Sequence, residues 1–294
     1  MSNLVKKLIL GTVQLGLEYG VNNQTGKPNK EAAFRILKIA HRKGIKIIDT
    51  ADAYGNVNEI IGEFNKLNPS IHFDIITKFK IIEKFDYSYF LSTFVKLLET
   101  LNVKYIHCYM FHDFSNVMSS SEVFVALKEL KSNQKIGNVG VSVYDNVEFE
   151  KAIENQEIDI IQLPYNLLDN DCQRLELLRL AKRNGKQIHT RSVFLQGLFF
   201  KEIDTFSGKL SSLVPYCSML NDVAVSNGIS ISRLAMGYAL TNKYIDNVLF
   251  GVETEEQLID NVDSNAIEID LSVRNEVNKI RVKEIELLNP SNWK

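Results

Sequence analysis

Short apolar runs alternate with stretches of helical period along nearly the whole chain. The apolar runs at 8–11, 45–49, 74–78, 105–112, 138–143, 159–165, 187–192 and 247–252 are rich in Ile, Val and Leu. Turn formers bound them, so they predict buried strands. Between them, apolar residues spaced three and four apart predict helices at 29–43, 56–66, 87–101, 121–132, 146–155, 171–184, 214–227, 231–242 and 254–263, with a last helix over 271–287. Asn29 is placed to cap the first of these and Gly44 to end it. A Gly- and Asn-rich loop to Pro28 and a longer irregular loop after 192 interrupt the rhythm.

Strict alternation of strand and helix predicts a parallel α/β architecture. At this length it predicts a single-domain (β/α)8 TIM barrel over residues 1–294. The runner-up is a doubly wound sheet, but no G-x-G-x-x-G follows any predicted strand.

Composition narrows the class. Apolar content of 45% and charged content of 24% are those of a water-soluble globular chain. A formal net charge of -2 gives no sign of a nucleic-acid or membrane-surface partner. Lys6 and Lys7 precede an apolar run that Gln14 and Glu18 break early, so neither a leader nor a spanning segment is expected. Three cysteines, Cys108, Cys172 and Cys217, form no CxxC pair and read as buried or neutral fillers of a cytoplasmic protein. The basic groups between Lys128 and Lys135 read as a solvated face.

Candidate chemistry collects where the strands end. In a barrel of this kind the site lies at the carboxyl ends of the strands. Asp49, Lys78 and His112 end three successive predicted strands, and Tyr54 lies in the loop after Asp49. Side chains alternate along a strand. Asp49 therefore shares a face with Ile45 and Ile47, Lys78 with Ile76, and His112 with Ile106, Cys108 and Met110. If those apolar faces point into the barrel, the three polar groups converge at its mouth. A free tyrosine titrates near pH 10, and a neighbouring ammonium lowers that value. Tyr54 is then a candidate general acid, Lys78 its tuner, Asp49 the anchor of the lysine, and His112 a donor that orients a carbonyl oxygen.

Other motifs fall away. His107 and His112 lie on opposite faces of one strand and cannot share a metal ion, so no metal site is expected. The segment GVNNQTGK at 20–27 has five residues between its glycines and lacks the Ser or Thr of a P-loop. Asp52 reads as a loop or helix-start carboxylate.

The segment Asp49-Thr-Ala-Asp-Ala-Tyr54-Gly55, with Asn58-Glu59 and Gly62, resembles the D-T-A-x-x-Y-G segment of the aldo/keto reductases. Lys78 in IITK and His112 in MFHD fall where that family carries its other catalytic residues, and the likeness runs from Leu10 to about Asn261. It implies reduction of an aldehyde or ketone by NADPH or NADH bound without a Rossmann fold. It also implies that Gly11 and Thr12 lie near the nicotinamide and that Ser142 and Gln162 hold its carboxamide. Ser192, Leu195 and Gly197 would border the pyrophosphate. Gly251, Val252, Glu253, Thr254, Gln257 and Asn261 would clasp the adenosine end.

Three positions depart from the family pattern. Val143 follows Ser142 where many relatives place Asn. Arg191 stands where many stack an aromatic ring on the nicotinamide; a guanidinium also stacks, or binds an anionic substrate. Glu253 stands where many NADPH users carry Arg or Lys, which argues that NADH is used at least as well as NADPH. Two other readings stay open: a cofactor-binding sensor or scaffold subunit with little turnover, and a Schiff-base aldolase using Lys78. A short tail at 289–294 predicts an open pocket for a sugar or other polar carbonyl compound. Oligomeric state is not legible.

Overall fold

The computed structural model describes residues 4–81, 85–118, 121–263 and 269–293. Within them, eight parallel strands close into a barrel in chain order. They are β1 (Leu8–Gly11), β2 (Ile47–Asp49), β3 (Asp74–Phe79), β4 (Ile106–Phe111), β5 (Ile136–Ser142), β6 (Ile160–Pro164), β7 (Gln187–Arg191) and β8 (Asn247–Gly251). The covering helices are α1 (Val13–Gly16), α2 (Lys30–Arg42), α3 (Val57–Leu67), α4 (Tyr87–Leu101), α5 (Ser115–Met118), α6 (Ser121–Ser132), α7 (Asn146–Glu154), α8 (Asp171–Arg183), α9 (Val214–Ser226), α10 (Ile231–Leu240), α11 (Glu255–Asp263) and α12 (Leu271–Asn278).

Helix starts follow local chemistry. Asn29 Oδ1 accepts the amide of Ala32 at 2.9 Å, and Asp86 Oδ1 that of Tyr89 at 2.7 Å. Each satisfies a donor that the first helical turn leaves free. Asp145 Oδ1 accepts from the Glu148 amide while Glu148 Oε2 accepts from the Tyr144 amide, a reciprocal cap that fixes the entry to α7.

The expected last helix is too long. It stops at Asn278 because the Val277 and Ile280 carbonyls turn to accept from Asn170 Nδ2, at 3.4 and 3.1 Å. The short tail folds on itself, with Trp293 Nε1 donating to the Leu287 carbonyl. One helical turn, α1, lies in the stretch read as loop after β1, and the long excursion after β7 holds three 3-10 turns.

The barrel is filled along alternate positions. Ile9, Ile76, Cys108, Met110 and Ile160 form its inner cluster, with Ile47 and Leu249 against it. Their neighbours in sequence, such as Leu8, Leu10, Ile48 and Ile75, pack outward under the helices. The face prediction therefore holds for Ile47, Ile76, Cys108 and Met110. It fails for Ile45, which precedes β2, and for Ile106 at the far end of β4; both join the outer cluster. Gly140 lies where a Cβ would come 2.6 Å from Met110 Cγ, so the missing side chain is what admits Met110. Cys108 and Cys217 are buried as expected, but Cys172 is exposed on α8. Lys128 and Lys131 are solvated, and each pairs with a carboxylate, Glu157 and Asp159.

His189 lies on the face of β7 opposite to the outward-packed Ile188, is 1% exposed, and its Nδ1 has no hydrogen-bond partner among the described residues. Burial drives its pKa down to about 3, and Lys78 and Lys182 add to the effect against Asp246. The unfolded chain takes up this proton near pH 6.5 and the folded chain does not, so stability is complete above 6.5 and falls as the pH drops toward 3. The slope from this one group is about 1.4 kcal/mol per pH unit. Denaturant titrations of His189→Gln between pH 4 and 6 should show that slope reduced; an unchanged slope places the acid sensitivity elsewhere.

Candidate active site

Four inward-facing groups meet at the carboxyl end of the barrel. Strand register sets Gly11, Asp49 and Ile76 side by side, so Lys78 stands two residues above Asp49's level on the same face. The Lys78 ammonium donates to Asp49 Oδ1 and to the Thr50 carbonyl at 3.2 Å. Gln162 Nε2 donates to Asp49 Oδ2 at 2.9 Å, so both carboxylate oxygens are held. Asp49 and Lys78 are each 2% exposed. The Thr12 hydroxyl and amide both donate to the Asp49 carbonyl, tying β1 to β2 at the rim.

Tyr54 arrives from the β2–α3 loop. Its turn is braced by Thr50 Oγ1 donating to Asn58 Oδ1 at 2.8 Å. Asp52 is an exposed loop carboxylate that accepts from Asn58 Nδ2 at 3.4 Å. Gly16 at the end of α1 lies so close that a Cβ would overlap the Tyr54 carbonyl, and Gly55 takes φ 63° beside it. The sequence needs glycine at both places for α1 to press on the turn. Lys78 Nζ then lies 5.3 Å from the Tyr54 ring centroid, and the His112 ring stands edge-on to Tyr54 at 6.0 Å.

The electrostatics differ from the sequence expectation in one respect. Burial raises the Tyr54 pKa above its ordinary value, and the lowering by Lys78 and Arg191 does not overcome it. The phenol is therefore protonated at neutral pH. For Lys78, burial favours the free amine, but Asp49 and Tyr54 outweigh it and hold the group as an ammonium. His112 is pushed down to about 4 by burial, then by Lys78 and Lys80, so its ring is neutral. Its Nδ1 is buried without a partner among the described residues.

The other half of the mouth is built from β5, β7 and β8. Arg191 Nε donates to Ser142 Oγ at 3.3 Å, Nη2 to the Val143 carbonyl at 3.2 Å, and Nη1 to Ser192 Oγ at 3.4 Å. Its guanidinium lies 4.2 Å from the Tyr144 ring centroid. Behind them Arg174 grips Asp169 through two hydrogen bonds of 2.6 and 2.7 Å and donates to the Tyr144 carbonyl at 2.8 Å.

Ser192, Leu195, Gln196 and Gly197 all have positive φ, which bends this segment into a tight rim. Leu195 and Val252 are both buried in the core. Tyr19 crosses to this rim, its hydroxyl accepting from Gln196 Nε2 at 2.7 Å. The Val21 amide donates to the Gln196 carbonyl at 3.0 Å.

Before α11, the Glu253 amide donates to Gln257 Oε1 at 2.8 Å, and the Gln257 amide to Thr254 Oγ1 at 3.2 Å. Asn261 is buried, and its Oδ1 accepts from Ser232 Oγ at 3.0 Å. Gly251 gives its side-chain space to the amide of Gln14.

Two acceptors test whether a nicotinamide cofactor suits this mouth. Gln162 Oε1 and Gln14 Oε1 are buried and have no hydrogen-bond partner among the described residues. A buried acceptor without a donor is costly. A primary carboxamide offers two N–H donors, so Gln162, held beside Asp49 with Oε1 free, fits the group. Sequence reasoning passed over Gln14, Tyr19, Tyr144, Arg174 and Gln196. Gln14, a polar residue on the turn after the first strand tip, was the available signal; the rest are recognised only through their partners.

Comparison with known proteins agrees with this architecture. Residues 7–282 match the model of the aldo/keto reductase family. An NADH-specific methylglyoxal reductase of Escherichia coli (strain K12) is 27% identical, over 91% of this chain and 95% of its own length. L-galactose dehydrogenase of Arabidopsis thaliana is 27% identical over 81% and 79%. In structure, the holo form of aldo-keto reductase AKR11C1 from Bacillus halodurans superposes with a TM-score of 0.78 at 21% identity, covering 94% of this chain and 92% of that one.

Proposed function

Since the chain belongs to the aldo/keto reductase family and is an NAD(P)H-dependent oxidoreductase, we propose that it reduces a small polar aldehyde or ketone with Tyr54 as proton donor. The observation that carries this reading is the Lys78 ammonium, buried between the Asp49 carboxylate and the Tyr54 phenol, with His112 alongside.

Reduction of a carbonyl adds a hydride at carbon and a proton at oxygen. The cofactor, when bound, supplies the hydride equivalent. Ser142 and Gln162 would hold its carboxamide, the 192–197 rim its pyrophosphate, and Gly251 to Thr254 with Gln257 and Asn261 its adenosine end. His112, neutral, donates one N–H to the carbonyl oxygen and orients it. Tyr54 keeps its proton until negative charge develops on that oxygen, then releases it from Oη to give the alcohol. Lys78 stabilises the phenolate that remains, Asp49 keeps Lys78 charged and in place, and solvent returns the proton. An ammonium so held is a poor nucleophile, which counts against Schiff-base chemistry at Lys78.

Fluorescence titration with NADH and NADPH, followed by single-turnover oxidation of the bound cofactor by an aldehyde, tests this. Binding without oxidation by any aldehyde would leave a sensor rather than a reductase.

Glu253 supports a finer reading, that NADH is bound at least as well as NADPH. Its carboxylate lies near Gly20, about 3.7 Å from where a Cβ would stand. The neighbouring Arg35 is taken by Glu255 at 2.5 Å. A carboxylate accepts from free ribose hydroxyls and repels a 2′-phosphate. Glu253→Arg should shift the ratio of NADPH to NADH affinity upward by about tenfold or more, the worth of a charge-assisted hydrogen bond. A wild-type preference of a hundredfold for NADPH would overturn the reading.

A further inference from the structure

Arg191 is the cation of the mouth that nothing acidic among the described residues answers. Lys78 is balanced by Asp49, and Lys80 faces Asp113 at 4.0 Å. Arg174 and Arg274, both well buried, each hold a carboxylate, Asp169 and Asp171. The three hydrogen bonds of Arg191 run 3.2 to 3.4 Å and end on the neutral oxygens of Ser142, Ser192 and Val143. A guanidinium has five N–H donors, so its strongest bonds are unspent. Half burial without a counter-ion is costly, and an incoming anion relieves that cost.

The group is also held in position. One face of the guanidinium lies on the Tyr144 ring. The Tyr144 amide is fixed by Glu148 and its carbonyl by Arg174, so the backbone that carries this ring is held. The field of Arg191 falls on Tyr54 and His112, the two groups assigned to the carbonyl oxygen. A molecule that reaches Tyr54 and His112 brings its own anion within this field.

We propose that Arg191 binds a carboxylate or phosphate of the substrate, so that acidic aldehydes or ketones are reduced in preference to neutral ones of the same size. This rests on the reductase reading above.

The test compares kcat/KM, with NADH, within two matched pairs: succinic semialdehyde against its methyl ester, and glyceraldehyde 3-phosphate against glyceraldehyde. In at least one pair the anion should be preferred by about ten- to a hundredfold, the worth of hydrogen bonds to a charged group. The pair that shows the preference names the anion. That preference should shrink with added salt, which needs no variant to measure. In Arg191→Met the ratio should collapse toward one, and in Arg191→Lys part of it should survive. Ratios near one in both pairs for the unaltered protein, or a ratio that persists in Arg191→Met, would overturn the proposal. So would a tenfold weaker NADH titration in Arg191→Met with the ratio intact, which would assign the guanidinium to the cofactor. If other aldehydes are reduced but no member of either pair is, this proposal falls alone; if NADH binds and no aldehyde at all is reduced, the reductase reading fails and takes this proposal with it.

Discussion

Tyr54→Phe will cut carbonyl reduction by about a hundred- to ten-thousandfold, the usual worth of a positioned general acid, while NADH titrates as before. The substitution deletes one oxygen from a half-buried ring and leaves its contact with His112 in place. Folding should survive it, and thermal unfolding checks that. The pH profile of the unaltered enzyme adds a second reading. Tyr54 titrates above its ordinary value near 10, and His112 falls to about 4. Both groups therefore keep the same protonation from about pH 5 to 9, and the rate of reduction should be flat across that window unless another step intervenes. It should decline on the alkaline side as the phenol loses its proton. Normal turnover in the Tyr54→Phe variant would remove Tyr54 from the mechanism.

Lys78→Met will cost about 3–5 kcal/mol of stability, the penalty for leaving one partner of a buried ion pair alone. Asp49, 2% exposed, would keep the Gln162 amide and lose its paired cation. The double variant Asp49→Asn, Lys78→Met should regain most of that loss, since no buried charge remains, yet stay inactive. Urea denaturation reads the first effect and aldehyde turnover the second. A single variant as stable as the parent would mean that Asp49 takes up a proton once Lys78 is gone.

The two predictions separate what the pair contributes to folding from what it contributes to chemistry. A methionine that preserved turnover would leave Tyr54 acting without its neighbour. That outcome would mean that the phenolate left after proton transfer needs no neighbouring ammonium.

Much of this was legible in the residues. The 3.6-residue and two-residue periods are local properties, set by which face of each segment must leave water, so strands and helices could be placed almost throughout. Strand-end position and alternation were enough to bring Asp49, Lys78 and His112 to one rim, and the loop that follows Asp49 added Tyr54. Where the reading failed, a non-local contact decided. The last helix ends at Asn278 because Asn170, more than a hundred positions earlier, takes its carbonyls. Ile45 joins the outer cluster because β2 starts two residues later, and Ile106 does so from the first residue of β4, at the end of the barrel away from the mouth.

The sequence by itself determined the barrel and the strand ends at which Asp49, Lys78 and His112 stand, because these follow from chain-local patterning and the connectivity it allows. Only the tertiary structure decided their electrostatic state. Whether Lys78 or burial sets the Tyr54 proton, and whether Arg191 meets an acid or only neutral oxygens, depends on distances between elements far apart in the chain. Charge interactions and desolvation are sums over such distances, and no run of residues carries them.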